Sequence, residues 1–290
     1  LEKVVFFKSM MPTFFIAGAP KAGTDLLYYQ LDQHPEIYMS PLKEPNFFAE
    51  EIRPENFHPS IKAHASQMIE RTRRDLEGAP PARRFGGIVC SLADYEKLFA
   101  GVRSQTAIGE GSVCYLWSRS APTAIARLIP SAKIVAVLMD PAERAFRQYL
   151  KSFADQDVSH SFSAHLDLAF GDLNNSPTQV RLFNPFLAFG EYAGQVERYL
   201  EHFSREQLLF SLYEDQEPNY QSWLAKVLEF LGVQSDFIPA PVEVHSTPRF
   251  GSRPVPQLGP EERARLVNFY RGDVHRLQGL IGRDLSAWLE

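Results

Sequence analysis

The run Thr13-Phe14-Phe15-Ile16-Ala17-Gly18, followed at once by Ala19-Pro20-Lys21-Ala22-Gly23-Thr24, constrains this chain more than any other stretch. Its first half is a short β-rich apolar run ending in glycine, the pattern of a buried parallel strand. Its second half is a small-residue loop, and Asp25 to Leu31 continues as a helix. A strand, a glycine-bearing loop and a helix in that order aim helix N-terminal amides at whatever anion sits above the loop. A Walker-type loop needs Gly, four residues, then Gly-Lys-Ser/Thr. Gly18 and Gly23 have that separation, but Thr24 stands where the lysine belongs and Lys21 lies three residues earlier. Taken alone, these residues also suit an ordinary Gly-Thr turn between strand and helix.

The rest of the chain reads as further α/β units. Ile37–Met39, Thr106–Gly109, Lys133–Leu138 and Leu208–Leu212 are strand candidates, the third being the clearest central strand. Helices are expected over Ile61–Arg74, Leu92–Phe99, Ala121–Ile129, from Asp140-Pro141 to about Phe153, and over Tyr192–Phe203, Tyr220–Leu231 and Glu261–Leu280. Residues 49–85 look like a polar insertion carrying one helix, 155–185 like a mobile polar loop with a short helix. Pro239 to Pro256, with five prolines, reads as a loop. With no internal repeat and no dividing linker, residues 1–290 are expected to form a single three-layer α/β domain, P-loop NTPase-like, around a central parallel sheet.

Composition excludes several classes. A net charge of −5 argues against a protein that coats nucleic acid or anionic membrane, while leaving room for a local basic pocket. Cys90 and Cys114 make no disulfide framework and are expected as reduced thiols. No apolar stretch approaches the roughly 20 residues that span a bilayer, and the patch at Leu1–Phe7 is too short for a signal segment. A soluble, cytoplasmic protein is the expectation. The histidines, among them His58, His64, His160, His165, His202, His245 and His275, show no metal-ligand spacing, so no metal is expected.

Further along, His34-Pro35 precedes Lys43-Glu44-Pro45-Asn46-Phe47-Phe48. The order Lys-x-Gly-Thr, His-Pro, Lys-Glu-x-x-Phe-Phe resembles the sulfotransferases that use 3′-phosphoadenosine-5′-phosphosulfate (PAPS), in particular their bacterial and heparan-sulfate-type branch. The resemblance implies that Lys21 and the backbone of Ala22, Gly23, Thr24 and Asp25 hold the phosphosulfate without magnesium. It implies Glu44 as the general base that takes the acceptor's proton and Lys21 as stabiliser of charge on the leaving oxygen. Lys43, Phe47 and Phe48 fall on the acceptor side, the aromatics packing below the base. Where that family has Thr or Ser after Gly-Thr, this chain has Asp25. A carboxylate about 4 Å from a phosphate costs on the order of 4 kcal/mol at an effective dielectric of ~20. Asp25 is therefore expected to turn away, to pair with a cation, or to act as a helix-start charge.

Leu138-Met139-Asp140-Pro141-Ala142-Glu143-Arg144-Ala145-Phe146-Arg147-Gln148-Tyr149 resembles the family's 3′-phosphate segment, with Met139 where an arginine is usual and Arg147 where a serine is. Arg147 either restores the missing cation from the next helical turn or is a surface arginine; Arg144 reads as structural, paired with carboxylates. Glu110-Gly111-Ser112-Val113-Cys114-Tyr115 resembles a segment that lines the acceptor cleft, through Ser112 and Tyr115. Tyr213-Glu214-Asp215 resembles a strand end beside the nucleotide, and Arg249 falls in a basic loop expected over the donor. The implied reaction is sulfuryl transfer from PAPS to a hydroxyl or amine of a small-molecule, lipid or sugar acceptor. The alternative is an atypical-donor or non-catalytic nucleotide-binding member of the same fold. A P-loop kinase is disfavoured because Gly23-Thr24 lacks the following lysine pattern.

Overall fold

The apolar run at the start forms β1 (Phe14–Gly18), buried at every residue. Parallel pairing carries it between β5 (Ala107–Gly111) and β6 (Lys133–Leu138). Adding β2 (Ile37–Met39) and β7 (Leu208–Leu212) completes a five-stranded sheet in the order β2-β5-β1-β6-β7, parallel throughout. The structure, a computed structural model, describes residues 10–56, 59–77, 83–175, 186–216, 219–242, 250 and 254–290. A second, two-stranded ribbon pairs β3 (Leu42–Lys43) with β4 (Arg84–Phe85), Lys43 opposite Phe85. Strands this short carry no periodicity, so the ribbon is invisible in the sequence.

Parallel strands need crossovers, and helices supply them. They are α1 (Thr24–Leu31), α2 (Pro59–Asp75), α3 (Leu92–Lys97), α4 (Cys114–Trp117) and α5 (Ala121–Leu128). The second half adds α6 (Pro141–Ala154), α7 (Phe162–Asn175), α8 (Tyr192–Leu200), α9 (Tyr220–Leu231) and α10 (Pro260–Ile281). The Asp140-Pro141 start signal works as read: Asp140 Oδ1 accepts from the amides of Ala142 at 2.8 Å and Glu143 at 3.4 Å, with Pro141 in the first turn. At the centre of the sheet Gly109 is required by contact, since a Cβ there would lie 2.1 Å from the Phe14 ring. The expected three-layer α/β architecture with a central parallel sheet is the one observed.

Two readings change. Within 155–185 the expected short helix is the 14-residue α7. Its Phe162, Leu166 and Ala169 are buried at spacings of four and three, one helical face against the core. The Asn/Ser-rich flanks of that segment hide this periodicity. Arg144 is structural, as expected, but among the described residues its hydrogen-bond partners are not carboxylates. It is fully buried, donating to Gln148 Oε1 at 2.7 Å and to the Phe186 carbonyl, beside the rings of Phe186 and Phe189. Cys90 is exposed and Cys114 buried, both as free thiols. Among the described residues, no helix is long and apolar enough to cross a membrane.

Candidate active site

A cleft of about 480 Å³ opens where β1 hands over to α1. Its floor is the first loop, with Lys21, Gly23, Thr24 and Asp25 on the surface. The chain turns sharply there: Lys21 has φ 70° and Gly23 φ 82°, left-handed values that glycine adopts at no steric cost. Gly23 is the N-cap of α1 and has no side chain to cap it. The amides of the first helical turn have no intrahelical acceptor, the arrangement by which a helix start holds an anion. A Cβ on Gly23 would meet the Tyr213 ring at 3.3 Å, so this floor is closely fitted. Burial holds the Lys21 ammonium below its ordinary pKa, while Asp25 works in the opposite direction.

One wall comes from the β3–β4 ribbon. Lys43 is 1% exposed, and its ammonium lies 2.7 Å from Asp25 Oδ1 and 2.7 Å from Glu44 Oε1. Burial alone would push this ammonium down, but Glu44 and Asp25 together hold it above its ordinary value. Of the three fates open to Asp25 in the sequence, two are met together: it pairs with a cation and it stands as an acidic residue in the first turn of α1. The other Glu44 oxygen, Oε2, accepts from the Val113 amide at 2.9 Å. Glu44 itself lines the cleft, in a left-handed conformation with φ 62°. Beside it the Phe85 ring is 58% exposed, 5.0 Å from the Lys43 ammonium.

The opposite wall is α6, which offers Glu143, Arg147, Leu150 and Lys151. Arg147 Nε donates to Glu143 Oε1 at 2.8 Å, and the guanidinium lies 4.6 Å from the centre of the Tyr213 ring. Tyr213 thus joins the two halves of the cleft, packed by α6 on one side and by the Gly23 loop on the other. The sequence brought the Tyr213-Glu214-Asp215 strand end to this neighbourhood without giving the tyrosine a part. Val113, within the Glu110–Tyr115 segment, also lines the cleft, as do Phe85, Leu150, Lys151 and Gln216, which carry no motif that would single them out. Glu214 acts behind the wall, its Oε1 accepting the Asp140 amide at 2.9 Å.

The structure brings Lys21, Gly23, Thr24, Asp25, Glu44 and Arg147 to one cleft. Other residues singled out in the sequence sit elsewhere. Met139 is fully buried in the core, which leaves it no side-chain surface to offer a nucleotide, while Ala22, in the loop, buries its side chain and donates its amide to the Ala19 carbonyl at 3.2 Å. Lys43, Phe48, Ser112 and Tyr115, expected on the acceptor side, are each enclosed beneath the cleft rather than on its surface, with exposures of 4% or less. Phe47 is half-buried, stacked on Tyr95 at 4.3 Å. Arg249 lies outside the described residues. Among the described residues, no three His, Cys, Asp or Glu side chains converge as a metal site needs.

Over 306 residues the chain is 28% identical to the mouse bifunctional heparan sulfate N-deacetylase/N-sulfotransferase 4, covering 96% of this chain and 31% of that protein. Over 325 residues it is 25% identical to the rat carbohydrate sulfotransferase 15, covering 96% of this chain and 54% of that protein. The chain thus spans about a third to a half of the length of these curated relatives. Among solved structures, the sulfotransferase from Alicyclobacillus acidocaldarius superposes with a TM-score of 0.75 at 33% identity, over 97% of this chain and 100% of that one. The model of the sulfotransferase family matches residues 12–237, from the start of β1 through α9 and so across every element that builds the cleft. This chain belongs to the sulfotransferase family.

Proposed function

We propose that this chain moves a sulfuryl group from PAPS to a hydroxyl or amine, with Glu44 as general base and Lys21 as electrostatic catalyst. The observation that carries the reading is the meeting, in one cleft, of the Lys21–Thr24 loop with a carboxylate held at both oxygens. The residues fit a phosphosulfate. The floor is a left-handed turn in which any side chain on Gly23 would press on Tyr213. The first-turn amides of α1 point dipole and donors at an anion, and Lys21, Arg147 and Lys151 line the cleft as cations.

In this reading Glu44 removes the acceptor's proton as the acceptor oxygen or nitrogen forms its bond to sulfur. The bond from sulfur to the bridging phosphate oxygen breaks, and Lys21 stabilises the negative charge that oxygen keeps. The proton rests on Glu44 until solvent takes it. The ammonium of Lys43 and the amide of Val113 fix the Glu44 carboxylate before substrate arrives, so little reorganisation is left for the reaction itself. Arg147 is a cation of α6 that can reach a second phosphate, standing in for the buried Met139. The exposed Phe85 ring, with Val113 and Leu150, offers the acceptor an apolar surface. A sugar ring suits such a surface, and the heparan sulfate and carbohydrate sulfotransferase relatives favour a sugar as the acceptor class.

The test is transfer of labelled sulfuryl from PAPS to a panel of glucosamine-containing oligosaccharides, simple sugars, phenols and amines. Glu44→Gln is expected to keep affinity for 3′-phosphoadenosine-5′-phosphate (PAP) and to lose transfer. Unchanged turnover in that variant removes Glu44 as the base. Tight PAP binding with no transfer to any acceptor favours a nucleotide-binding member of the fold that does no chemistry.

A further inference from the structure

We propose that Glu110 is a positioning residue for Glu44, the shared anchor of two hydrogen-bonded arms that fix the chain just after the base. The inference rests on Glu44 being the base, and it explains how that residue keeps its aim. Glu110, in β5 and fully buried, uses each carboxylate oxygen for one arm. Oε2 accepts from Ser112 Oγ at 2.9 Å, and Ser112 Oγ in turn accepts from the Asn46 amide at 3.1 Å. Oε1 accepts from the Tyr115 hydroxyl at 2.7 Å, and that hydroxyl accepts from the Phe48 amide at 3.3 Å. The Tyr95 hydroxyl is a second donor to Oε1, at 3.0 Å, and the third to the carboxylate.

The chain that these arms grip is one that would not hold itself. Glu44 and Asn46 both have positive φ, 62° and 56°, conformations that a non-glycine residue keeps only when its surroundings over-determine it. Such a chain cannot join a regular ladder, so its amides need acceptors from elsewhere. The arms supply them at Asn46 and Phe48, while the Glu44 amide donates to the Gly111 carbonyl at 2.8 Å, between Glu110 and Ser112. Asn46 closes the turn by donating from Nδ2 to the carbonyls of Glu44 at 2.9 Å and Gly87 at 3.0 Å.

A purely structural role accounts poorly for the arrangement. Burying a carboxylate away from cations costs several kcal/mol or forces it to take up a proton, and none of the hydrogen-bond partners of Glu110 is a cation. Phenylalanine at 95 and 115 with an apolar residue at 110 would fill the same space without that cost. What only the polar version provides is a pair of acceptors for the backbone that carries Glu44.

The Val113 amide, bonded to Glu44 Oε2, reports the carboxylate directly and needs no acceptor substrate. In ¹⁵N-labelled protein, Glu44→Ala sets the resonance of the released amide. In Glu110→Gln, and in Tyr115→Phe, which removes one arm and keeps the packing, the Val113 resonance is expected to move toward that position with PAP affinity kept. Turnover is expected to fall about a hundredfold in Glu110→Gln, the loss that goes with a misplacement of about 1 Å. A Val113 resonance at its wild-type position in both variants overturns the proposal. Full turnover in Glu44→Gln with a moved Val113 resonance in Glu110→Gln keeps Glu110 as the anchor and removes only the base.

Discussion

Replacing Glu110 by Gln should remove a calculable part of the pH dependence of stability. The carboxyl is fully buried, and burial raises its pKa from 4.5 to about 7; the hydroxyls of Tyr115, Ser112 and Tyr95 oppose the rise and nearby Glu44 adds to it. A group whose folded pKa lies above its unfolded value stabilises the fold fully below the unfolded value. That contribution is lost as pH climbs through the folded value. At about 1.4 kcal/mol per pH unit, wild type is expected to lose about 3 kcal/mol between pH 4.5 and pH 8. Glutamine, which cannot ionise, keeps the shape and loses nothing through this route. Urea unfolding of both proteins at pH 5 and pH 8 makes the comparison, and taking their difference cancels other titrating groups such as Asp273. At pH 8 Glu110→Gln should gain about 2.5 kcal/mol on wild type relative to pH 5. Parallel pH dependences would refute the reasoning. The same variant should be slow in transfer, which sets stability against activity at a single position.

Lys43→Met should destabilise by about 3–5 kcal/mol in urea unfolding, because it leaves two carboxylates in a buried niche built for one ammonium. Asp25→Asn should cost clearly less, since Lys43 keeps Glu44 at 2.7 Å; equal losses would show that Asp25 is the dominant partner. Gly23→Ala meets both a φ of 82° and a ring at 3.3 Å. It should weaken PAP binding about tenfold in calorimetry, while its backbone strain costs the fold only about 1–2 kcal/mol. Phe85→Ala should raise the acceptor KM about fivefold, the equivalent of about 1 kcal/mol of lost ring contact, with PAP affinity unchanged; an unaltered KM would take Phe85 out of the acceptor site.

The sheet was legible because its strands are apolar on both faces and their boundaries fall at glycine, proline and polar residues. Phe14–Gly18, Lys133–Leu138 and Leu208–Leu212 could hardly be anything else. The floor of the cleft was legible for a related reason: a loop between buried strand and helix leaves few places for Lys21 and Thr24 to go. The walls were not. Phe85 reaches the cleft through a ribbon two residues long, paired with a segment about forty positions away, and no local pattern announces such a contact. Ser112 and Tyr115 lie in the neighbourhood the sequence indicates, but the fold encloses them beneath the cleft instead of on its surface. Their hydroxyls are consumed by Glu110, whose burial only the assembled fold reveals. The fate of Asp25 depended in the same way on Lys43, which the sequence allows either to hold Glu44 ionised or to be solvated, and which the ribbon encloses against both carboxylates.

The most direct measurement is a calorimetric titration of the protein with PAP in the presence of EDTA, repeated for Lys21→Ala. The account requires binding that EDTA leaves intact and that falls at least about tenfold when the ammonium is removed, as befits a charge-assisted contact to phosphate. No heat of binding in the wild type, or binding that appears only when magnesium is restored, would contradict it.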